Sequence, residues 1–239
     1  ALGRLTTSDV IAKSSNVGMV HVAMQLDKEA LWNTLSRFGT GRLTTSGFPG
    51  ESAGVLVPYQ SWRPIGQATL AYGYGLSMTP LQLAQAYAVL AADGLHRPLS
   101  LVRIAQAPIV RRVVSPQVAR DVLTMLEQVV TREGTGLKAA VTGYRVAGKT
   151  GTARKLTATG YSGDRHTAVF AGVTPVDHPR FAIVVVVDDP QGNVYYGGDV
   201  AAPVFSTIAT GALRIFAVPP DGIPPAEAPR PVTLAANRP

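Results

Sequence analysis

Apolar residues recur at three- to four-residue spacing in several stretches, each bounded by capping chemistry. Thr7 or Ser8 is placed to cap a short helix over residues 10–13, with Asp9 in its first turn. A second helix is expected over 16–26, with Val17, Val20 and Met24 as its apolar positions. Asp27 caps a third over 28–38, whose Leu31, Leu35 and Phe38 form a core stripe and whose end is Gly39. Thr79-Pro80 opens a helix to residue 92 that Gly94 ends, with Leu83, Tyr87 and Leu90 on one face. Ser115-Pro116 repeats that opening for a helix to residue 131, with Val118, Val122, Met125 and Val129 directed inward. Asp199 is expected to cap a last helix through Phe216.

Elsewhere the period shortens. Strands are expected over 144–154, 167–174 and 181–188, with a polar loop over 156–165. The run Ala182-Ile-Val-Val-Val-Val187 is continuous, as in a strand covered on both faces, so it is expected inside the sheet. Pro175 to Pro179 is short enough for a hairpin turn, which makes the last two strands antiparallel. Residues 97–114 suit a short hairpin. Residues 39–77, rich in glycine, proline and hydroxyl groups, read as an irregular wrapped connection pinned by burial of Trp62 and Tyr59. The chain divides into a body, 1–218, and a proline-rich tail, 219–239, expected to be disordered.

Composition narrows the function. With 46% hydrophobic residues in 239, the chain is globular and buries a sizeable core. Its net charge of +7 comes from scattered basic residues without interleaved aromatics, which argues against nucleic acid and for an anionic cell-wall or membrane surface. Cysteine is absent, which excludes disulfides and thiolate metal sites. The longest apolar run, Phe181 to Val187, is too short to span a bilayer. His21, His96, His166 and His178 lack metal-ligand spacing, Asp188-Asp189 belongs to a turn, and Gly73-Tyr-Gly75 lacks a preceding strand; no metal or organic cofactor is expected.

The segment with most chemistry is Val146-Ala-Gly-Lys-Thr-Gly-Thr-Ala153. On an extended strand Thr150 and Thr152 share one side and Lys149 takes the other, while Gly151 leaves the backbone bare. Two hydroxyls, a cation and an open backbone suit an anion, and an edge strand also accepts a peptide by backbone pairing. By itself Lys-Thr-Gly also fits a solvated edge strand whose lysine discourages aggregation. A second motif, Ser14-Ser-Asn16, changes the balance. Together with Phe38-Gly-Thr-Gly41, Gly47-Phe-Pro-Gly-Glu51, Tyr72-Gly-Tyr-Gly-Leu-Ser-Met-Thr-Pro-Leu-Gln-Leu-Ala-Gln-Ala-Tyr87 and Tyr144-Arg-Val-Ala-Gly-Lys-Thr-Gly-Thr-Ala153, it resembles the transpeptidase domain of class B penicillin-binding proteins, of the septal penicillin-binding protein 3 type. The resemblance runs to about Phe216.

The resemblance implies an α/β fold of α+β type, with an antiparallel sheet flanked by helices beside an all-helical subdomain. Its third element, a Ser-x-x-Lys nucleophile, is missing: Ser100 and Ser162 come nearest, followed by Arg103 and Arg165, and arginine does not deprotonate. The chain is therefore expected to be a C-terminal fragment holding three of the family's five strands, with the upstream segment of the same protein, which carries the serine, remaining bound as a partner. The implied reaction is D,D-transpeptidation of peptidoglycan stem peptides in cell division, blocked by β-lactam antibiotics. Ser14, Asn16, Lys149 and Thr152 would be catalytic; Thr150, Gly151 and Thr152 would bind the substrate carboxylate and backbone. The implied location is the periplasmic face of the bacterial inner membrane, with divisome membrane proteins as partners and the anchor upstream. A serine β-lactamase or β-lactam sensor, and a non-catalytic scaffold, are the alternatives.

Overall fold

The sheet is built by three long antiparallel strands whose side chains alternate between two helical layers. The computed structural model describes residues 2–158 and 160–222. Strands β5 (Ala147–Thr157), β6 (Gly160–Thr174) and β7 (Phe181–Asp188) lie in the order β5-β6-β7. β6 is central. Its Phe170 faces helix α8 (Ala202–Ile215), meeting Phe205 edge-on with ring centroids 4.8 Å apart. The next residues in alternation, Ala171 and Val173, pack on the other side against Tyr87, Leu123 and Leu126. Those three come from α5 (Pro80–Ala91) and α6 (Pro116–Glu127). β7 follows the same rule: Ile183, Val185 and Val187 belong to the α8 side, Ala182 and Val184 to the α5–α6 side.

The continuous apolar run packs toward both helical layers except at the exposed Val186, and β7 lies at an edge of the three-stranded sheet, as expected of a chain that holds only three of the family's five strands. The expected polar loop over 156–165 is instead strand: β5 and β6 run on past the sheet body as a tight hairpin, with a register shift between Arg154 and Leu156. The turn after Thr174 joins antiparallel neighbours as expected.

Helices α1 (Thr7–Ala12), α2 (Asn16–Ala23) and α3 (Lys28–Arg37) open the chain. The cap of α1 is Thr6, one residue before the expected position, in a reciprocal capping box with Asp9. Asp27 caps α3, and Thr79 caps α5 in a second capping box, with Gln82. Gly94, at φ 80°, ends α5 in a conformation that other residues adopt with strain. In α6 the inward face is Ala119, Leu123 and Leu126, followed by Val129 in a short 3-10 turn; Val118 is exposed, so the expected stripe is rotated by one residue. The α3 stripe of Leu31, Leu35 and Phe38 is only half-buried.

The connection 39–77 contains more order than its composition suggests: the pair β1 (Val55–Leu56) and β2 (Leu76–Ser77), a 3-10 turn at Tyr59–Ser61, and helix α4 (Pro64–Leu70). Trp62 is buried as expected and Tyr59 half-buried. Two buried glutamines do as much to hold it. Gln82 Nε2 donates to the carbonyls of Arg42 at 2.6 Å and Ala53 at 2.7 Å, and Gln67 Nε2 to those of Ala23 and Leu26, both at 2.9 Å. The 97–114 hairpin reduces to β3 (Leu95–His96) paired with β4 (Arg111–Arg112).

Asp199 lies in the first turn of α7 (Gly197–Val200) without capping it; the residue before that helix is Tyr196, and Asp199 binds Lys138 instead, at 2.8 Å. Asp221 Oδ1 accepts from Arg145 N at 2.8 Å and Oδ2 from Val176 N at 2.7 Å, so residues 219–222 are docked on the body. The remainder of the expected disordered tail, 223–239, lies outside the described residues.

Candidate active site

Ser14 is held where the backbone leaves α1. Its N–H bonds Ile11 O at 3.2 Å and Ser15 N–H bonds Val10 O at 2.9 Å, the paired bonds of a helix-ending motif whose turning residue is usually glycine. Ser14 occupies that position at φ 52°. A non-glycine residue there carries strain on the order of 1 kcal/mol or more, the kind that persists where a side chain is needed. Ser15 then caps α2 through Gly18 N at 3.1 Å. Ser14 and Asn16 are left exposed on either side of this junction.

Lys149 comes to Ser14 from across the molecule. Its Nζ donates to Ser14 Oγ at 2.9 Å, to Thr150 O at 3.0 Å and to Thr150 Oγ1 at 3.2 Å. Alternation puts the lysine on the α1 side of the strand and the threonines on the α7 side, and the flexible lysine stem bends over the edge to meet both. No carboxylate lies against this ammonium among the described residues. Burial pulls its pKa down to about 8 from the ordinary 10.5. The site thus holds a positive charge that the fold itself does not neutralise.

The edge of β5 next to this lysine is free. Thr150 O receives Lys149 there, and Arg154 N donates to Tyr74 Oη at 3.4 Å. Residues of the same parity direct their backbone groups to the same edge of a strand. Thr152, between those two, therefore presents its N–H to the cleft. Its hydroxyl is turned to the other side, accepting from Gly197 N at 3.0 Å.

These groups line a cleft of about 830 Å³: Ser14, Asn16, Lys149, Thr150, Gly151 and Thr152 form one polar wall, above an apolar floor that includes Ile11, Met19 and Leu126. All six residues that the motifs single out converge there. Three more features were missed. Thr135 Oγ1 lies 2.8 Å from Thr150 Oγ1 and extends the hydroxyl array. Tyr72 and Tyr74 close one end, with Tyr161 from the hairpin 5.1 Å from the Tyr74 ring. At the other end α7 lies directly on β5: a Cβ on Gly197 would come within 2.4 Å of Gly151 O, and one on Gly198 within 2.2 Å of Thr135 O. The doubled glycine at 197–198 was the available signal.

Residues 2–210 match the family model described as penicillin binding protein transpeptidase domain. The chain belongs to this family. It is 45% identical over 219 residues to the peptidoglycan D,D-transpeptidase FtsI of Escherichia coli K12, covering 92% of this chain and 37% of that protein. It is 40% identical over 232 residues to the probable peptidoglycan D,D-transpeptidase PenA of Neisseria gonorrhoeae, covering 97% of this chain and 39% of that one. The chain thus spans well under half the length of these relatives. Among solved structures, the apo transpeptidase domain of Burkholderia pseudomallei penicillin-binding protein 3 matches with a TM-score of 0.87 and 46% identity, over 94% of this chain and 68% of that domain. Penicillin-binding protein 3 of Mycobacterium tuberculosis, in complex with aztreonam, matches at 0.84 and 37% identity, over 92% of this chain and 53% of that one. These likenesses bear out the α+β penicillin-binding transpeptidase fold expected from the motifs.

Outside the cleft, His166 is buried and stacks on Tyr195 with ring centroids 4.0 Å apart. Among the described residues no cluster of His, Cys, Asp and Glu has a metal-binding arrangement, and no helix is long and apolar enough to cross a membrane.

Proposed function

We propose that this chain is the substrate-recognising wall of a peptidoglycan D,D-transpeptidase of cell division, and that the nucleophilic serine is supplied by a segment preceding it in the same protein. The reading is carried by the convergence of Ser14, Lys149 and the free edge of β5 on one cleft. An uncompensated cation among hydroxyls suits a carboxylate, the free terminus of a stem peptide or the acid of a β-lactam. The relatives named as D,D-transpeptidases support the same class of substrate.

In this mechanism the upstream serine gives its proton to the lysine of its own Ser-x-x-Lys element as its Oγ attacks the carbonyl carbon of the terminal D-alanyl peptide bond. The Thr152 N–H and the N–H of the attacking serine stabilise the oxyanion; loss of one such donor typically costs about 3 kcal/mol. The C–N bond then breaks, and the departing D-alanine amine takes its proton through Ser14, which Lys149 orients. Asn16 holds the substrate amide, and Thr150 with Gly151 receives the carboxylate and backbone. An amine from a neighbouring stem peptide attacks the resulting ester, restores the serine and completes the cross-link. The apolar floor of Ile11, Met19 and Leu126 suits packing against the nucleophile-bearing segment. We place the protein at the periplasmic face of the inner membrane, among divisome membrane proteins.

Labelling with a fluorescent penicillin tests this. The full-length protein should form a stable adduct on its upstream serine, Lys149→Ala should abolish it, and Thr150→Ser should keep most of it. The 239-residue chain alone should form none. A penicilloyl mass on any serine of this chain would overturn the division of roles, and rapid hydrolysis of the adduct would indicate a β-lactamase.

A further inference from the structure

The segment between β3 and β4 brings exposed apolar side chains, positive charge and unused backbone together in one stretch. Residues 97–112 read Arg-Pro-Leu-Ser-Leu-Val-Arg-Ile-Ala-Gln-Ala-Pro-Ile-Val-Arg-Arg, with four arginines and no acidic residue. Its large apolar side chains are turned to solvent: Ile109 is 91% exposed, Val102 74% and Leu101 64%, with Ile104 and Val110 also exposed. Nor is its backbone used. Among the described residues, 98–110 make no backbone–backbone hydrogen bond, and the only polar contacts there are those of the Ser100 hydroxyl with Val102. None of the four arginines forms an ion pair among the described residues. Arg111 and Arg112 donate to backbone carbonyls of Arg37, Asp93 and Val114, whereas Arg97 and Arg103 make no hydrogen bond among the described residues.

We infer that residues 97–112 are a docking surface for an acidic, apolar-bearing segment of a partner protein, which orders on them by backbone pairing. Three properties select that occupant. The uncompensated positive charge calls for carboxylates, since Asp93, whose carbonyl accepts from Arg112, already pairs its carboxylate with Arg120. The exposed aliphatic side chains call for apolar partners, because a contiguous apolar surface on a soluble face is typical of an interaction site. The unpaired N–H and C=O groups call for a peptide backbone, which satisfies them as an added extended segment does. A lipid surface answers the first two needs but not the third, because irregular backbone in hydrocarbon leaves its polar groups unsatisfied. The stretch also lacks the tryptophan and tyrosine that anchor interfacial segments. The surface is separate from the cleft and independent of its chemistry.

The test uses the full-length protein and a labelled ten-residue peptide of glutamate and leucine, with a lysine–leucine counterpart and phosphatidylglycerol vesicles in parallel. The acidic peptide should bind, more weakly as salt rises, and should slow hydrogen exchange at the non-proline amides of residues 98–110. Arg97→Glu with Arg103→Glu, side chains without a hydrogen bond or ion pair among the described residues, should weaken binding at least tenfold and shift preference toward the lysine peptide, with penicillin labelling unchanged. Equal binding of both peptides, preferential binding to vesicles, or amides 98–110 already protected before peptide is added would each overturn the proposal.

Discussion

Replacing Lys149 by methionine should make the protein more stable and at the same time destroy its anion site. Met keeps the length and apolar stem of the side chain while removing the charge. Burial lowers the lysine pKa to about 8 from 10.5, which at about 1.4 kcal/mol per pH unit is about 3 kcal/mol against the charged form. Below pH 8 both folded and unfolded chains carry the proton, and the folded state bears the whole penalty. Between pH 8 and 10.5 the folded state has released the proton and the unfolded state has not, so stability rises with pH through that window. For the wild type this group alone should add about 2 kcal/mol between pH 7 and about pH 9.5. At pH 7 the methionine variant is spared the penalty but loses the bonds to Ser14 and Thr150, leaving it roughly 2 kcal/mol more stable. Urea unfolding of both proteins at the two pH values measures the difference, and comparing the pair cancels other titrating groups. Curves that shift in parallel with pH would refute the argument. A bound carboxylate stabilises the ammonium, so carboxylate affinity should fall as pH rises through about 8, and only in the wild type.

Ending the chain after Gly222 should leave the melting temperature nearly unchanged, whereas Asp221→Ala should lower stability by about 3 kcal/mol, because three backbone N–H groups lose a charged acceptor; differential scanning calorimetry separates the two. Gly198→Ala should cut penicillin labelling of the full-length protein at least tenfold, since the new Cβ would collide with Thr135 O and push α7 off β5; normal labelling rates would show that α7 yields. Phe205→Ala, which empties a fully buried site between α8 and Phe170, should cost about 3–5 kcal/mol in denaturant unfolding. Arg145→Lys should be destabilising despite keeping the charge, because Nε and Nη2 bind the two oxygens of Glu127 at 2.8 and 2.7 Å and a lysine offers no such fork.

Local signals were readable where one residue decides. Thr79 and Ser115 before proline, Asp27 before an apolar stripe, and the Ser-Ser-Asn and Lys-Thr-Gly motifs all lie where their chemistry suggests. Errors arose where several weak signals compete. The α6 stripe slid by one because Ala119, too small to stand out in a pattern of valines, is the residue that contacts the core. Residues 156–165 read as a loop because they are polar, yet a hairpin extending beyond a sheet has no buried face to pattern. Gln67 and Gln82 look like surface residues until irregular backbone wraps around them, and only then does burying an amide satisfy more groups than it strands. The tail boundary was misplaced because Asp221 in a proline-rich context signals a turn, whereas its three acceptor bonds depend on strand ends far away in sequence.

What the motifs do not contain is the reason that Lys149 stays unpaired. Three acids around β5 are engaged elsewhere: Asp199 with Lys138, Asp188 with Lys155, and Glu127 with Arg145. Each of those pairs ties a flanking element to the strand or its supports, so the contacts that rigidify the site also keep carboxylates out of it. The lysine is left with hydroxyls and a carbonyl, which orient an ammonium without cancelling its charge. Thr150 O and Arg154 N, on either side of Thr152 along the free edge, are each met by a side chain of the protein itself. The stretch of edge open to a substrate backbone is thereby narrowed to the one residue whose N–H serves an oxyanion, beside a half-buried cation that no carboxylate of the described residues pairs.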